Sequence, residues 1–383
     1  MQTRFINSIQ DINEESWNKL LEDDSPFLNH RFLEALEQTS CAAPAQGWAP
    51  CHLLCEDADG HLLGAMPLYL KSNSYGEFVF DFAWANAYHE AGIQYYPKII
   101  SAIPFTPATG TRLLIDGRAG NADEIRTTML DSALAHVGTT MASSLHVLFP
   151  VSEQLDQFSQ AGFLVRKDCQ FHWHNNDYSD FDEFLSEFTS SKRKKVRRER
   201  RRINESNVSF ESRNGGQLGP DDWQEIMPLY ANTFLRHGRQ PYLDLSFFER
   251  VSATLPDSIV VFMGRQNERL VAVSICFRSA TTLYGRYWGA ESFVDSLHFE
   301  TCYYQGIDYC IRHGLQHFEP GTQGEHKISR GFVPTPTWSA HWLARPDFSR
   351  AVDDYLQRER RHIDQYIDVV NQHIPYRNDS ADG

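Results

Sequence analysis

The chain has 383 residues, enough for two domains, and its 41% hydrophobic and 22% charged content is that of an ordinary globular protein. Its most apolar stretches, such as Leu270 to Phe277, fall far short of the roughly 20 residues that span a bilayer, and the N-terminal segment turns acidic before any apolar run develops, so no integral membrane segment and no cleaved secretory signal are expected and the expected compartment is the cytoplasm. A net charge of −14 excludes a protein that coats nucleic acid over its whole surface, and seven scattered cysteines point to reduced thiols, with no structural metal expected.

In chain order, Trp17, Leu20 and Leu21 recur at the spacing of an amphipathic helix, and Phe27-Leu28 with Phe32-Leu33 lead into a second one. Leu53-Leu54 and Leu63 to Leu70 read as two short strands joined by the polar turn Glu56 to Gly60, a hairpin. Phe80 to Trp84 reads as an aromatic strand, Tyr95-Tyr96 as part of a helix, and Phe105 to Gly110 as a closing strand. His172-Trp173-His174 sets two imidazoles on one face of a strand, a spacing that suits a metal, but no third ligand stands nearby. A basic segment follows, and then a polar stretch from Asn204 to Asp221 that reads as a connecting loop.

The second half repeats the first. Trp223, Ile226 and Tyr230 open it as a helix, and Tyr242-Leu243 with Phe247-Phe248 repeat the aromatic entry into the next. A shift of 207 positions lays Leu53-Leu54 on Val260-Val261, Leu63 on Leu270, Ala65 on Ala272 and Leu68 on Ile275 without a gap. Tyr284 to Trp288 then matches Phe80 to Trp84, Tyr303-Tyr304 matches Tyr95-Tyr96, and Phe318-Glu319-Pro320 matches Phe105-Thr106-Pro107. Phe348 to Val370 carries one apolar stripe and reads as a terminal helix, its last residues frayed.

Two segments carry the chemistry. Between Lys192 and Arg202 nine of eleven positions are Lys or Arg, against an acidic remainder. As a helix the run places Phe188, Val196 and Ile203 near one face as a docking seam, with Ser190 or Ser191 as N-cap, and presents Lys192, Arg193, Lys194, Lys195, Arg197 and Arg198 to the phosphates of a carrier; the alternative is a solvated face paired with the acidic remainder. The loop Glu319 to Gly331 gathers Glu319, Glu325, His326, Lys327 and Arg330 among glycines. Glu319 or His326, with Glu325 as a substitute for Glu319, suits a base that takes a proton from an attacking amine, and Lys327 and Arg330 suit an oxyanion or a phosphate. Trp288, Tyr303 and Tyr304 suit the wall of a substrate cleft, whereas Trp84, Tyr95 and Tyr96 suit a core, as do Cys302 and Cys310. The first half has Thr106 where the second has Glu319 and lacks the His-Lys-Arg group, so the chemistry is expected in the second.

The tandem units, the Ser190-Ser191-Lys192-Arg193-Lys194-Lys195 run, Cys302-Tyr303-Tyr304-Gln305-Gly306 and Phe318-Glu319-Pro320-Gly321 with Gly324-Glu325-His326-Lys327 together resemble the FemAB-like N-acyltransferases, relatives of the Fem-type aminoacyl transferases. The resemblance implies an α+β fold of two tandem GNAT (acetyltransferase)-like domains, with mixed β-sheets flanked by helices, over residues 1–175 and 176–345, the basic helix at 190–203 and a helical tail at 346–383. It implies transfer of an acyl or aminoacyl group to a small-molecule or peptide amine, in peptidoglycan precursor or related biosynthesis, from aminoacyl-tRNA or acyl-CoA as cosubstrate, with no tightly bound cofactor. The [Gln/Arg]-x-x-Gly-x-[Gly/Ala] turn that holds the coenzyme A pyrophosphate in acetyltransferases has no convincing match here, which favours tRNA, whereas the modest size without a coiled-coil arm favours a smaller donor, so both carriers stay open. The alternative reading is a non-catalytic module that binds RNA or an anionic precursor through residues 192–202.

Overall fold

The computed structural model describes residues 1–292, 294–322 and 324–377, so the expected fraying past 377 lies outside the described residues. The chain divides into two compact units, Met1–Asp168 with Pro336–Asp364, and Cys169–Thr335 with the residues from Gln365 on. This division differs from the expected boundaries at 175 and 345 and from a separate tail. The division falls inside the strands Leu164–His174 and Val333–Leu343 and inside the helix Pro346–Asn371, whereas a sequence reading looks for it in polar loops.

In the first unit Gln2–Ile6, His52–Glu56 and Leu62–Met66 form an antiparallel set, the last two being the expected hairpin. A second set contains Lys98–Ser101 paired in parallel with Ser144–Leu148. A parallel pair needs a crossover, and the helix Ala122–Thr139 supplies it, burying Ile125, Met129, Ala133 and Val137 against Leu53, Met66 and Leu145.

The second unit has the same order. Val208–Asn214, Ile259–Gln266, Arg269–Arg278 and Thr282–Ala290 run as an antiparallel meander, and Thr282–Ala290 pairs in parallel with His317–Glu319. The crossover here is the helix Gln305–His313, entered through a π-helical turn at Glu300–Tyr304. Ile259–Gln266 lies between two other strands and is buried over its first six residues, which is why it reads as a continuous apolar run rather than an alternation. Val208–Asn214 falls within the stretch expected as a loop; an edge strand this polar gives little period-2 signal.

The repeat holds through the hairpins and then loses register. Phe82–Glu90 is a helix rather than an aromatic strand, Tyr95 and Tyr96 lie outside any helix, and Phe105 to Gly110 forms no strand. Topologically, Leu148-Phe149-Pro150 at the end of its parallel strand stands where Phe318-Glu319-Pro320 stands in the second unit. Thr106 is therefore not the counterpart of Glu319, whose place in the topology is taken by the end of Ser144–Leu148.

Candidate active site

Thr282–Ala290 is the strand on which the site is built. Where it pairs with Arg269–Arg278 the register slips: Ile275 faces Tyr287 and Cys276 faces Gly285, leaving Arg286 as the extra residue of a β-bulge. A bulge bends its strand and re-aims a side chain. Arg286 is turned inward, its side chain 2% exposed, and it meets Glu319 on the neighbouring strand at 3.6 Å. Its Nη1 also donates to the carbonyls of Gly285 and Glu319, at 2.9 and 3.3 Å. Behind the strand, the helix Pro220–Arg236 comes so close to Gly289 that a Cβ there would sit 1.9 Å from the Leu229 carbonyl oxygen, and Thr233 Oγ1 donates to the Trp288 carbonyl at 2.6 Å.

A cavity of about 270 Å³ opens beside this strand. Phe234, Tyr287 and Trp288 form one wall, His298, Cys302 and Tyr303 another, and His326 and Lys327 close it from the turn Glu325–Arg330. Among the described residues none that lines it is acidic. Lys327 is buried and donates to the Gly321 carbonyl at 2.6 Å. Burial, then the nearby Arg286, presses its ammonium down to about 7. His326 reaches solvent, and its Nε2 lies 2.8 Å from the Tyr303 hydroxyl. Partial burial, then Arg330, Lys327 and Lys195, holds this imidazole below its ordinary value, so it is neutral and able to accept a proton at neutral pH. His298 is driven lower, to about 4, by burial and then by His326. Burial pushes the Cys302 thiol well up, which removes it as a thiolate nucleophile.

The expected residues thus separate. Trp288, Tyr303, His326 and Lys327 converge on the cavity. Glu319 does not line it; burial raises its carboxyl to about 7 against the pull of Arg286, and its place is behind Arg286 as counterion. Glu325 accepts from the Tyr366 hydroxyl at 3.0 Å on the far side of the turn. Tyr304 turns away from Tyr303, with its hydroxyl donating to Glu199, and Arg330 is buried in a fork on the same Glu199. Cys302, expected in the core, lies in the cavity wall. His174 meets His317 across the strands, Nδ1 to Nδ1 at 3.1 Å, while His172 lies by Gln170.

The basic run is the helix Ser190–Glu205, which follows Thr189 and buries Val196, Glu199 and Ile203. Phe188 is buried just ahead of it, completing the seam. Arg193 donates to the Ser186 carbonyl, Arg197 pairs with exposed Asp182, Arg200 with buried Glu300, and Arg202 with Asp295. Lys195 donates to Ser329 Oγ at 3.3 Å. Lys194, Arg198 and Arg201 are exposed, at the spacing of one helical stripe.

Sequence reasoning missed Arg286, His298 and Glu199. The first is revealed only by the bulge, and the last looked like an interruption of a basic run, although one acid at the i+3 position from Val196 is on the buried side of that helix.

A family model for peptidoglycan biosynthesis/recognition, FemAB-like, matches residues 8–378. Among solved structures the chain is similar to the C-terminal domain of an Agrobacterium fabrum protein described as a lysylphosphatidylglycerol synthetase, at 11% identity and a TM-score of 0.54 over 91% of this chain and 96% of that one. It is similar to FemX at 13% identity and 0.53 over 92% and 100%, and to L-PGS from Bacillus licheniformis at 10% and 0.51 over 93% and 99%. At such identities the likeness is one of fold, and with the repeated strand order it makes the architecture a tandem acetyltransferase-like α+β fold. No curated protein matches the chain. Among the described residues no helix is long and apolar enough to cross a membrane.

Proposed function

The chain belongs to the FemAB-like family, and on that premise we propose that it transfers an acyl or aminoacyl group from an activated carrier to a substrate amine, in the cavity of the second unit. The observation that carries this reading is the meeting of a neutral imidazole, His326, and a buried ammonium, Lys327, in a cavity without acidic lining. The amine nitrogen attacks the carbonyl carbon of the carrier ester or thioester; its proton passes to His326, with the Tyr303 hydroxyl holding the ring in place. Lys327 stabilises the oxyanion of the tetrahedral intermediate, and Arg286, kept in position by Glu319, adds to the positive field. Collapse expels the carrier oxygen or sulfur, which takes the proton back from the imidazolium. Trp288 packs beside the transferred group.

The polybasic helix is the docking face for the carrier phosphates, with the exposed stripe Lys194, Arg198 and Arg201 making the main contacts and Lys192 and Arg197 flanking it. The connection after Thr282–Ala290 favours aminoacyl-tRNA over acyl-CoA: it holds no glycine from Glu291 to Ser296 and carries Glu291 and Asp295, a poor cradle for a pyrophosphate. For the acceptor we propose an amine of a peptidoglycan precursor, a reading supported by the description of the family model.

The test is turnover of charged tRNA and of acyl-CoA with a peptide amine, in the wild type, His326→Gln and Lys327→Met. Turnover in either variant is expected to fall by about 10²–10³ while polyanion binding persists. Polyanion binding with no turnover from any donor would instead make this a binding module.

A further inference from the structure

Glu199 is the one acid among the basic residues from Lys192 to Arg202, and it is 6% exposed. Arg330 holds its carboxylate in a fork, Nη2 to Oε1 at 2.8 Å and Nε to Oε2 at 3.2 Å, and the Tyr304 hydroxyl donates to Oε2. The same guanidinium lies 3.3 Å from the Phe299 ring centroid, and its Nη1 donates to the His326 carbonyl at 2.5 Å. One turn earlier on the helix, Lys195 reaches Ser329. The polybasic helix therefore grips the turn Glu325–Arg330 at two places. That turn is joined to the rest of the chain through Gly324, at φ +116°, and Gly331, at φ +95°, backbone states that only glycine adopts without strain. A buried ion pair adds little net stability once desolvation is counted, so what the fork contributes is a fixed geometry.

We propose that Glu199 is a positioning residue that, through Arg330, ties the turn bearing His326 and Lys327 to the polybasic helix, so that a polyanion bound on the outer face of that helix alters the placement of the His326 ring in the cavity. The proposal rests on the reading of the helix as the carrier site. It makes carrier docking and the readiness of the base two sides of one coupling, and the coupling is reciprocal. The groups that face His326 are Tyr303 and His298 with Phe299 from the π-helical side, Lys327 and Arg330 from its own turn, and Lys195 from the helix. Of these, Lys195 is the cation that a polyanion on the helix would reach directly, whereas Arg330 is buried and would be reached only through Glu199.

The experiment follows the histidine ring signals by NMR in ¹⁵N-histidine-labelled full-length protein, with the His326 signal assigned from His326→Gln, while inorganic polyphosphate is added. In the wild type the His326 signal is expected to move and its titration midpoint to rise as polyphosphate binds. In Glu199→Gln, polyphosphate is expected to bind as before and the His326 response to be lost. A full response in Glu199→Gln, or none in the wild type despite binding, overturns the proposal. If Glu199→Gln does not fold, Arg330→Lys keeps the charge and loses the fork: a diminished response supports the link and an undiminished one overturns it. Absence of polyphosphate binding in the wild type removes the carrier-site reading, and the proposal with it.

Discussion

Each unit buries a lysine near its parallel strand pair, and the two lysines are treated in opposite ways. Lys98 of the first unit is fully enclosed and donates to Ser74 Oγ at 2.9 Å, to Glu77 at 2.7 Å and to Asp81. Burial works against its charge, yet Glu77 and Asp81 outweigh it and raise the ammonium above its ordinary value. The network runs on through the Tyr95 hydroxyl, 2.6 Å from Asp81, to His146, whose Nδ1 lies 2.8 Å from that of His341. Lys327 of the second unit has a carbonyl for a partner and an open cavity beside it, and its charge is only marginally held. An ammonium enclosed by two carboxylates is a brace, and one left beside a cavity with no anion is a receptor. One fold thus supplies both, and the difference supports the proposed placement of the chemistry in the second unit.

Breaking that contrast should have the largest effect in the first unit. Lys98→Met leaves Asp81 buried without the lysine it pairs with and Glu77 with only Lys71 at 4.0 Å, and a loss of about 3–5 kcal/mol in unfolding stability is expected by chemical denaturation. Lys327→Met removes an ammonium that no carboxylate holds, so its stability should match or exceed the wild type while turnover falls. Equal destabilisation by the two substitutions would remove the distinction between brace and receptor.

The pH dependence sharpens the same contrast. Turnover needs neutral His326 and charged Lys327, so it should rise as the imidazole loses its proton below the ordinary histidine range and fall as Lys327 loses its own near 7, giving a narrow bell that Lys327→Arg opens on the alkaline side. Stability follows the first unit at low pH. Burial pushes the Asp81 carboxyl up, but Lys98, His146 and the hydrogen bonds from Lys98 and Tyr95 prevail and hold it at about 2. A carboxyl depressed by folding stabilises above its ordinary value and ceases to do so as pH falls through its folded one, so the Asp81 contribution should vanish toward pH 2 and be absent at all pH in Asp81→Asn, as acid-unfolding curves would record.

How far the sequence reveals all this depends on whether a residue's role is local. Hairpins are legible because two apolar runs and a polar turn suffice, and the seam of Phe188, Val196 and Ile203 is legible because helical spacing alone defines it. His326 and Lys327 are legible because glycines and ionisable groups crowd into one turn. Tyr303 and Tyr304 are separable only through the π-helical turn Glu300–Tyr304, which shifts the phase of the helix and sends one ring to the cavity and the other to Glu199. The repeat misled beyond the hairpins because Phe80 to Trp84 matches by composition while its backbone is helical from Phe82 on; Pro97, directly after Tyr96, was a local signal that no helix continues there. The sealed network of the first unit draws on Glu77, Asp81, Lys98, His146 and His341, and no spacing in the sequence relates such distant positions.

The smallest expected effect separates two kinds of basic residue within one helix. Lys194, Arg198 and Arg201 stand on one exposed stripe, and among the described residues none of the three is bonded to an acid. Arg193, Arg200 and Arg202 are tied to a carbonyl, to Glu300 and to Asp295, and Arg200 also packs with its guanidinium 4.3 Å from the Phe181 ring centroid. If the stripe is the carrier face, changing its three residues to Gln should lower the slope of log affinity against log salt by about 2–3, since each neutralised phosphate contributes roughly 0.7–0.9. The tied set should change stability and leave that slope nearly as it was, because a cation already engaged by the fold releases few counterions from a ligand. Filter binding of charged tRNA across a salt series reads both slopes. Equal loss from the two sets would mean that the charge of the helix acts as a diffuse field, and the docking geometry assigned to the stripe would then have to be given up.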